Sequence, residues 1–197
     1  MNLNRVVIVT GGASGMGLGI CKRFAEAGHS VAMLDIQEAA LEREKMALKA
    51  TGAKIFAAKV DVSDRSQVEV AYTAIRSEFG SISIVIANAG ISESADFLTL
   101  LVDTWQRMLD VNLTGVFHTI QAATADMVPN KWGRIVTISS NAAQWGAADR
   151  AHYSAAKGGV IGLTKALARE LAKHGITVNT IPPSLVDTPL ARESEKT

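Results

Sequence analysis

Thr10-Gly11-Gly12-Ala13-Ser14-Gly15-Met16-Gly17-Leu18-Gly19 places five glycines in ten residues. The stretch follows the apolar run Arg5 to Thr10 and opens into a segment of helical spacing, Met16 to Gly28. A strand that ends in glycines and turns directly into a helix has a phosphate-binding composition. Its backbone N–H groups can approach an anion closely, and the helix N-terminus carries partial positive charge. A tight turn without a ligand is the other reading of the loop taken alone. The G-x-G-x-x-G fingerprint fails because Ile20 stands three residues beyond Gly17. The P-loop pattern fails because Leu18, after Gly12 and Gly17, occupies the place of the lysine.

Moving outward from this turn, strand-length apolar segments recur at Ser30 to Asp35, Lys54 to Asp61, Ile82 to Asn88, Gly133 to Ser139 and Gly175 to Ile181. Each reads as a strand buried on both faces. Between them lie helical segments at Gln37 to Thr51, Asp64 to Phe79, Leu101 to Val128 and Ala151 to His174. Such alternation predicts an α/β fold: a doubly wound parallel sheet of Rossmann type with three layers, αβα, and six strands in a single domain over 1–197. Ligands of such sheets sit beyond the carboxyl ends of the strands, so the loops after each strand carry the function.

The composition fits this picture. Of 197 residues 48% are hydrophobic, which supports one large core. Lys and Arg number 20 against 19 Asp and Glu, so no global field attracts nucleic acid or an anionic membrane, and an anionic ligand must be captured locally. The single cysteine, Cys21, provides neither an internal disulfide framework nor a metal-ligand cluster. The N-terminus shows no targeting signal and no apolar run reaches membrane-span length, so a cytoplasmic protein is expected.

Asp35 ends the second strand eighteen residues beyond Gly17, near the offset of about 20 at which an acid binds an adenosine ribose. Taken alone it is equally a strand-end or helix-capping acid. With the glycine loop it predicts NAD in preference to NADP. A carboxylate accepts from the ribose hydroxyls but repels a 2′-phosphate, and neither Ser14 nor Ile36 offers that phosphate a cation.

Here the chain resembles the short-chain dehydrogenase/reductase family, in its shorter single-domain branch. Thr10, Gly11, Gly15 and Gly17 match the T-G-x-x-x-G-x-G signature, with Ser14 and Met16 inside the same loop. Asp61-Val62 is similar to the pair whose aspartate bonds the adenine ring, and Asn88-Ala89-Gly90 resembles the N-A-G element, although Ala87 stands where many members have asparagine. After the sixth strand, Pro183 and Thr188 match the segment whose threonine contacts the nicotinamide carboxamide, but Ser184 replaces its glycine. The resemblance implies a homodimer or homotetramer built on the helical segments Leu101 to Val128 and Ala151 to His174.

Tyr153 and Lys157, four residues apart, project from one helix face with roughly 5 to 6 Å between their Cβ atoms. Each alone reads as a packing tyrosine or a solvated cation. Together they suit proton exchange, because a nearby cation lowers the pKa of an acid whose ordinary value is about 10. The family assigns tyrosine the role of general acid or base, and lysine a bond to the nicotinamide ribose. Its spacing selects Ser140, thirteen residues before Tyr153, as the serine that holds the substrate oxygen, with Ser139 the runner-up. Asn112 completes the implied tetrad, supporting a proton relay. Gln144 and Trp145 are candidate substrate contacts in the loop after the fifth strand.

The resemblance therefore implies hydride transfer between NAD and a small-molecule secondary alcohol or ketone. A non-catalytic NAD-binding regulatory module and a 3-oxoacyl thioester reductase are the alternatives. Family members continue to a substrate-covering lid and a seventh strand, whereas this sequence runs nine residues past Thr188. The expectation is that both are absent here and that the native product is longer.

Overall fold

The computed structural model describes residues 4–194. Six strands, β1 (Val6–Thr10), β2 (Ser30–Asp35), β3 (Ile55–Lys59), β4 (Ile82–Ala87), β5 (Gly133–Ile138) and β6 (Ile176–Ile181), form one sheet in the order β3-β2-β1-β4-β5-β6. Every pairing is parallel. The order reverses between β1 and β4, and that junction is where the expected doubly wound fold opens a crevice at the carboxyl ends of the strands.

Alternation along β1 explains the layers. Val7 and Val9 join Val31, Met33 and Cys21 in a core beneath α1 (Gly15–Glu26) and α2 (Glu38–Lys49). Ile8, with Leu34, Val85 and Ile135, packs on the other face against α3 (Arg65–Phe79), α5 (Gly115–Met127) and α7 (Ala151–Leu171). Within that layer the Tyr72 hydroxyl is fully buried and donates to Thr119 O at 2.8 Å, which satisfies its polar atom and ties α3 to α5.

The sequence pattern and the structure differ in four places. Lys54 to Asp61 is longer than β3, and Asp61 lies past the strand in a turn where its Oδ1 accepts from Ser63 N at 2.9 Å. The predicted helix Leu101 to Val128 is divided into α4 (Val102–Leu109), a π-helical turn at Asp110–Thr114, and α5. Two short helices, α6 (Ala142–Trp145) and α8 (Pro189–Ser194), have no periodic signal long enough to reveal them. The π-turn has a local cause: Asn112 Nδ2 donates to Met108 O at 3.2 Å, while Gly115 N reaches back to Asp110 O. A side chain thus competes for a carbonyl of the helical ladder, and one residue is accommodated as a bulge.

Candidate active site

The loop from β1 to α1 is shaped by close approach. A Cβ on Gly17 would lie 2.0 Å from Gly11 O and 2.7 Å from Asn88 Nδ2, so only hydrogen fits. Gly11 and Gly15 have φ of 64° and 50°, in the left-handed region. Ser14 precedes α1 without a side-chain cap, so the first turn at Gly15 and Met16 presents backbone donors and the positive helix end to the crevice. This donor set and steric cradle fit the pyrophosphate of a dinucleotide.

Two predicted cofactor residues act first as fasteners. Thr10 Oγ1 accepts from Asn88 N and Ala89 N, both at 3.1 Å, and Asn88 Nδ2 donates to Thr10 O at 3.0 Å. The loop after β4 is thereby locked to the glycine loop. Asp35, buried at the end of β2, accepts from Ala13 N through Oδ2 and from Gln37 N through Oδ1, each at 3.0 Å. A carboxylate has lone pairs left after two such bonds. The neighbouring Ile36 is exposed, and Val62 is buried beside the Asp61 turn.

Ser140, Tyr153, Lys157, Asn112, Met16 and Thr188 all border one cavity of about 300 Å³ at the carboxyl edge. The two serines ending β5 are distinguished by their partners. Ser139 Oγ donates to Lys157 O at 3.0 Å inside the protein, whereas Ser140 Oγ accepts from Ala142 N at 3.2 Å and its hydroxyl is near enough to Tyr153 to lower that phenol's pKa. Lys157 Nζ donates to Ile138 O at 2.9 Å, and burial pulls its pKa from 10.5 down to about 8. Asn112 braces the β4 loop in both directions: Oδ1 accepts from Ile91 N at 3.2 Å and Nδ2 donates to Ile91 O at 3.0 Å. A Cβ on Gly90 would fall 2.5 Å from Asn112 Oδ1 and 3.5 Å from Lys157 Nζ, so the lysine, the π-turn and this loop meet at one point.

The electrostatics correct one expectation. Burial raises the Tyr153 phenol above its ordinary value of 10, opposed by the Ser140 bond and the charge of Arg150. Lys157 does not provide the lowering, since its Nζ is turned to Ile138 O and lies 5.8 Å from the tyrosine ring centroid. Tyr153 therefore holds its proton at neutral pH, the state that suits a proton donor.

Gln144 and Trp145 do not line the cavity. They lie on α6, whose helical turn leaves both exposed, Trp145 by 81%, while Ala142 faces inward. Thr188 packs 3.4 Å from a Cβ position on Gly15, and its Oγ1 accepts from Ala191 N at 3.2 Å, capping α8. Pro183 lies alongside on the cavity wall. Ser184 Oγ accepts from Asn141 Nδ2 at 3.0 Å, so the residue replacing the glycine pins this loop to β5's exit. Sequence reasoning misses Arg150, which borders the cavity three residues before Tyr153 and donates to Ser92 Oγ. The DRAHY context is its only sequence signal, and no periodicity marks a single arginine at a helix start.

The sequence model of the family described as short chain dehydrogenase matches residues 5–197. A 3-oxoacyl-[acyl-carrier-protein] reductase, MabA of Mycobacterium tuberculosis, is 35% identical over 96% of this chain and 72% of its own. The (2S)-[(R)-hydroxy(phenyl)methyl]succinyl-CoA dehydrogenase subunit BbsD of Thauera aromatica is 40% identical over 95% of this chain and 75% of its own. A solved single-substitution variant of actinorhodin polyketide ketoreductase with NADPH superposes with a TM-score of 0.95 at 33% identity, covering 100% of this chain and 76% of that one.

Proposed function

The chain belongs to the short-chain dehydrogenase family and is an oxidoreductase of that kind, and on this premise we propose that it reduces a ketone, with 3-oxoacyl compounds favoured over simple secondary alcohols. The observation that carries the reading is the Ser140–Tyr153–Lys157 group on one cavity beside the glycine loop. The names of the relatives at 35 to 40% identity, reductases or dehydrogenases of acyl thioesters, favour the 3-oxoacyl class.

A nicotinamide dinucleotide bound at the glycine loop supplies the hydride. The chain's own residues do the rest. Ser140 orients and polarises the carbonyl oxygen as negative charge develops there. Tyr153, held protonated by burial, gives its proton to that oxygen. Lys157 anchors α7 to the end of β5 and would hold the ribose of a bound nicotinamide nucleotide, and Asn112 fixes the loop that closes the opposite wall. Tyr153→Phe lowers ketone reduction by about 10²–10⁴-fold while leaving nucleotide binding within a few-fold of the parent. Undiminished turnover by this variant overturns the assignment.

NAD is the preferred nucleotide in this proposal. Asp35 is fixed by two backbone amides where the adenosine ribose would lie, and its charge opposes a 2′-phosphate. The similar ketoreductase was solved with NADPH, so a fluorescence titration with both nucleotides is the deciding measurement. Equal affinities sink the NAD preference. A homodimer or homotetramer using α5 and α7 belongs to the same proposal and is checked by light scattering. No helix among the described residues is long and apolar enough to cross a membrane.

A further inference from the structure

A second cavity, of about 300 Å³, opens at the amino edge of the sheet. It lies where β1, β4 and β5 begin, so the length of a strand, roughly 15–20 Å, separates it from the crevice at the carboxyl edge. No residue borders both cavities. Arg5, Ser81, Ile82, Ser83, Asn130 and Trp132 form its walls, with one cation and no carboxylate among them. Asp126 touches the wall through Ile82 N at 3.4 Å, but its two oxygens are paired with Arg76 Nε at 3.0 and 2.9 Å.

The strands are irregular at this cavity. Val6 pairs with Ile82 and Val7 with Ile84, so the register passes over Ser83, which has no partner on β1 and none on β5, where Ile84 pairs with Arg134. An inserted residue of this kind interrupts the ladder and re-aims a side chain. Ahead of β5, Lys131 adopts φ 49°, a left-handed conformation uncommon outside glycine, and the turn sets Trp132 N on Met127 O at 3.2 Å. The indole is thereby placed against two arginines, with Arg5 Cζ 3.9 Å and Arg134 Cζ 4.5 Å from the ring centre. Arg134 Nη1 donates to Gly133 O at 2.7 Å and Gly175 O at 3.2 Å. The Arg5 guanidinium, by contrast, donates to no protein group and pairs with no acid among the described residues. One guanidinium suffices for stacking. A second against the same ring raises the positive potential at a cavity whose walls hold no acid to offset it.

We infer that this cavity is a second anion site, separate from the glycine loop, that takes a phosphate group, free or carried on an ester. Stacking on Trp132 sets the plane of the Arg5 guanidinium and leaves its N–H edge for two phosphate oxygens. The hydroxyls of Ser81 and Ser83 are engaged by no other protein group among the described residues. The Asn130 amide gives one N–H to Asp126 O at 2.8 Å and has another to offer. Because these donors come from three chain segments, they reach a ligand from different directions, which matches the tetrahedral oxygens of a phosphate and not a planar carboxylate. A phosphate held here joins the segments ahead of β1, β4 and β5, so it stabilises the sheet without entering the reaction proposed above. The inference does not depend on that reaction.

The test titrates inorganic phosphate, glycerol 3-phosphate and acetate into the parent by calorimetry at matched ionic strength, with and without NAD in excess to cover the glycine loop. The inference expects a phosphate site with Kd at or below about 1 mM that survives NAD, and acetate binding weaker by at least about tenfold. Arg5→Gln weakens phosphate binding by about 10–100-fold, Arg5→Lys by less and Ser83→Ala by a few-fold, as loss of a charge-assisted pair or a single hydroxyl predicts. All three variants keep the parent's nucleotide affinity and turnover, since none touches the carboxyl edge. Tighter binding of the ester identifies a phosphorylated metabolite as the source, and equal or weaker binding identifies free phosphate; both support the site. Thermal melts give a second readout: relative to chloride, phosphate raises Tm more in the parent than in Arg5→Gln, and the comparison removes the general effect of a kosmotropic anion. Absence of saturable phosphate binding once NAD is present, undiminished binding by Arg5→Gln, or acetate held as tightly as phosphate overturns the inference. An arginine with a purely structural role makes Arg5→Gln less stable by equal amounts in chloride and in phosphate, and that result overturns it as well.

Discussion

Replacing Lys157 by methionine abolishes ketone reduction and stabilises the protein at neutral pH. The side chain is 4% exposed, and burial lowers its pKa from 10.5 to about 8. At about 1.4 kcal/mol per pH unit, the charged form costs about 3 kcal/mol in the folded state. Methionine has a similar length and no charge to desolvate, but it leaves Ile138 O without the donor now at 2.9 Å, a loss of about 1 kcal/mol. The net gain at pH 7 is about 2 kcal/mol, or roughly 4–8 °C in Tm for a chain of this size. The folded pKa is below the unfolded one, so between pH 8 and 10.5 the unfolded chain binds more protons and the parent gains stability as pH rises. The parent and Lys157→Met stability curves therefore cross at about pH 9 to 10. Urea denaturation of both proteins from about pH 7 to about 10.5 measures this directly. Two parallel curves, or a methionine variant less stable than the parent at pH 7, refute the reasoning.

Cys21 provides a contrast of opposite sign. Burial pushes its thiol from 9.0 up to about 12, so its contribution to stability is complete below pH 9 and is lost as pH rises toward 12. Cys21→Ala is less stable at pH 8 by about 1–2 kcal/mol but declines less steeply above pH 9, and an unchanged slope in urea melts at pH 8, 9 and 10 counts against this. Gly17→Ala drives a methyl group to 2.0 Å from Gly11 O. It weakens nucleotide binding at least tenfold in a fluorescence titration and destabilises the fold by about 3 kcal/mol. Asn112→Ala leaves both backbone groups of Ile91 without their partner. It costs about 2 kcal/mol and speeds hydrogen exchange at the Ile91 amide, and unchanged exchange there argues against the bracing role.

The parts of the molecule legible in the sequence are those whose cause is local. β1 and β2 are apolar on both faces, so a run such as Val6 to Val9 announces a central parallel strand without knowledge of its neighbours. Gly11, Gly15 and Gly17 mark the loop because each has a local reason: Gly11 and Gly15 take left-handed φ, and a Cβ on Gly17 would strike Gly11 O within the same ten residues. The Tyr153–Lys157 pair is visible for the same reason, a helical spacing. The features that escape depend on distant chain. The π-turn interrupts a clean helical pattern where Asn112, besides taking up Met108 O in its own helix, is held by Ile91, twenty-one residues away. Loop position alone points Gln144 and Trp145 to the pocket, and a single turn of α6 leaves them exposed.

The same distinction separates the two ends of the catalytic stripe. Ser139 and Ser140 are chemically equivalent in sequence, and only the packing of α7 against β5 makes them different, by engaging Ser139 Oγ with Lys157 O. That contact and the bond from Lys157 Nζ to Ile138 O tie one side of Tyr153 to the sheet through buried groups. The other side is held by loops: Arg150 is set by the Asp149 turn and by Ser92, on segments that join strands to helices. A rigid side suits the proton transfer, whose geometry is common to every ketone. The loop side can be altered without disturbing the sheet, and it is therefore where the choice of substrate can reside.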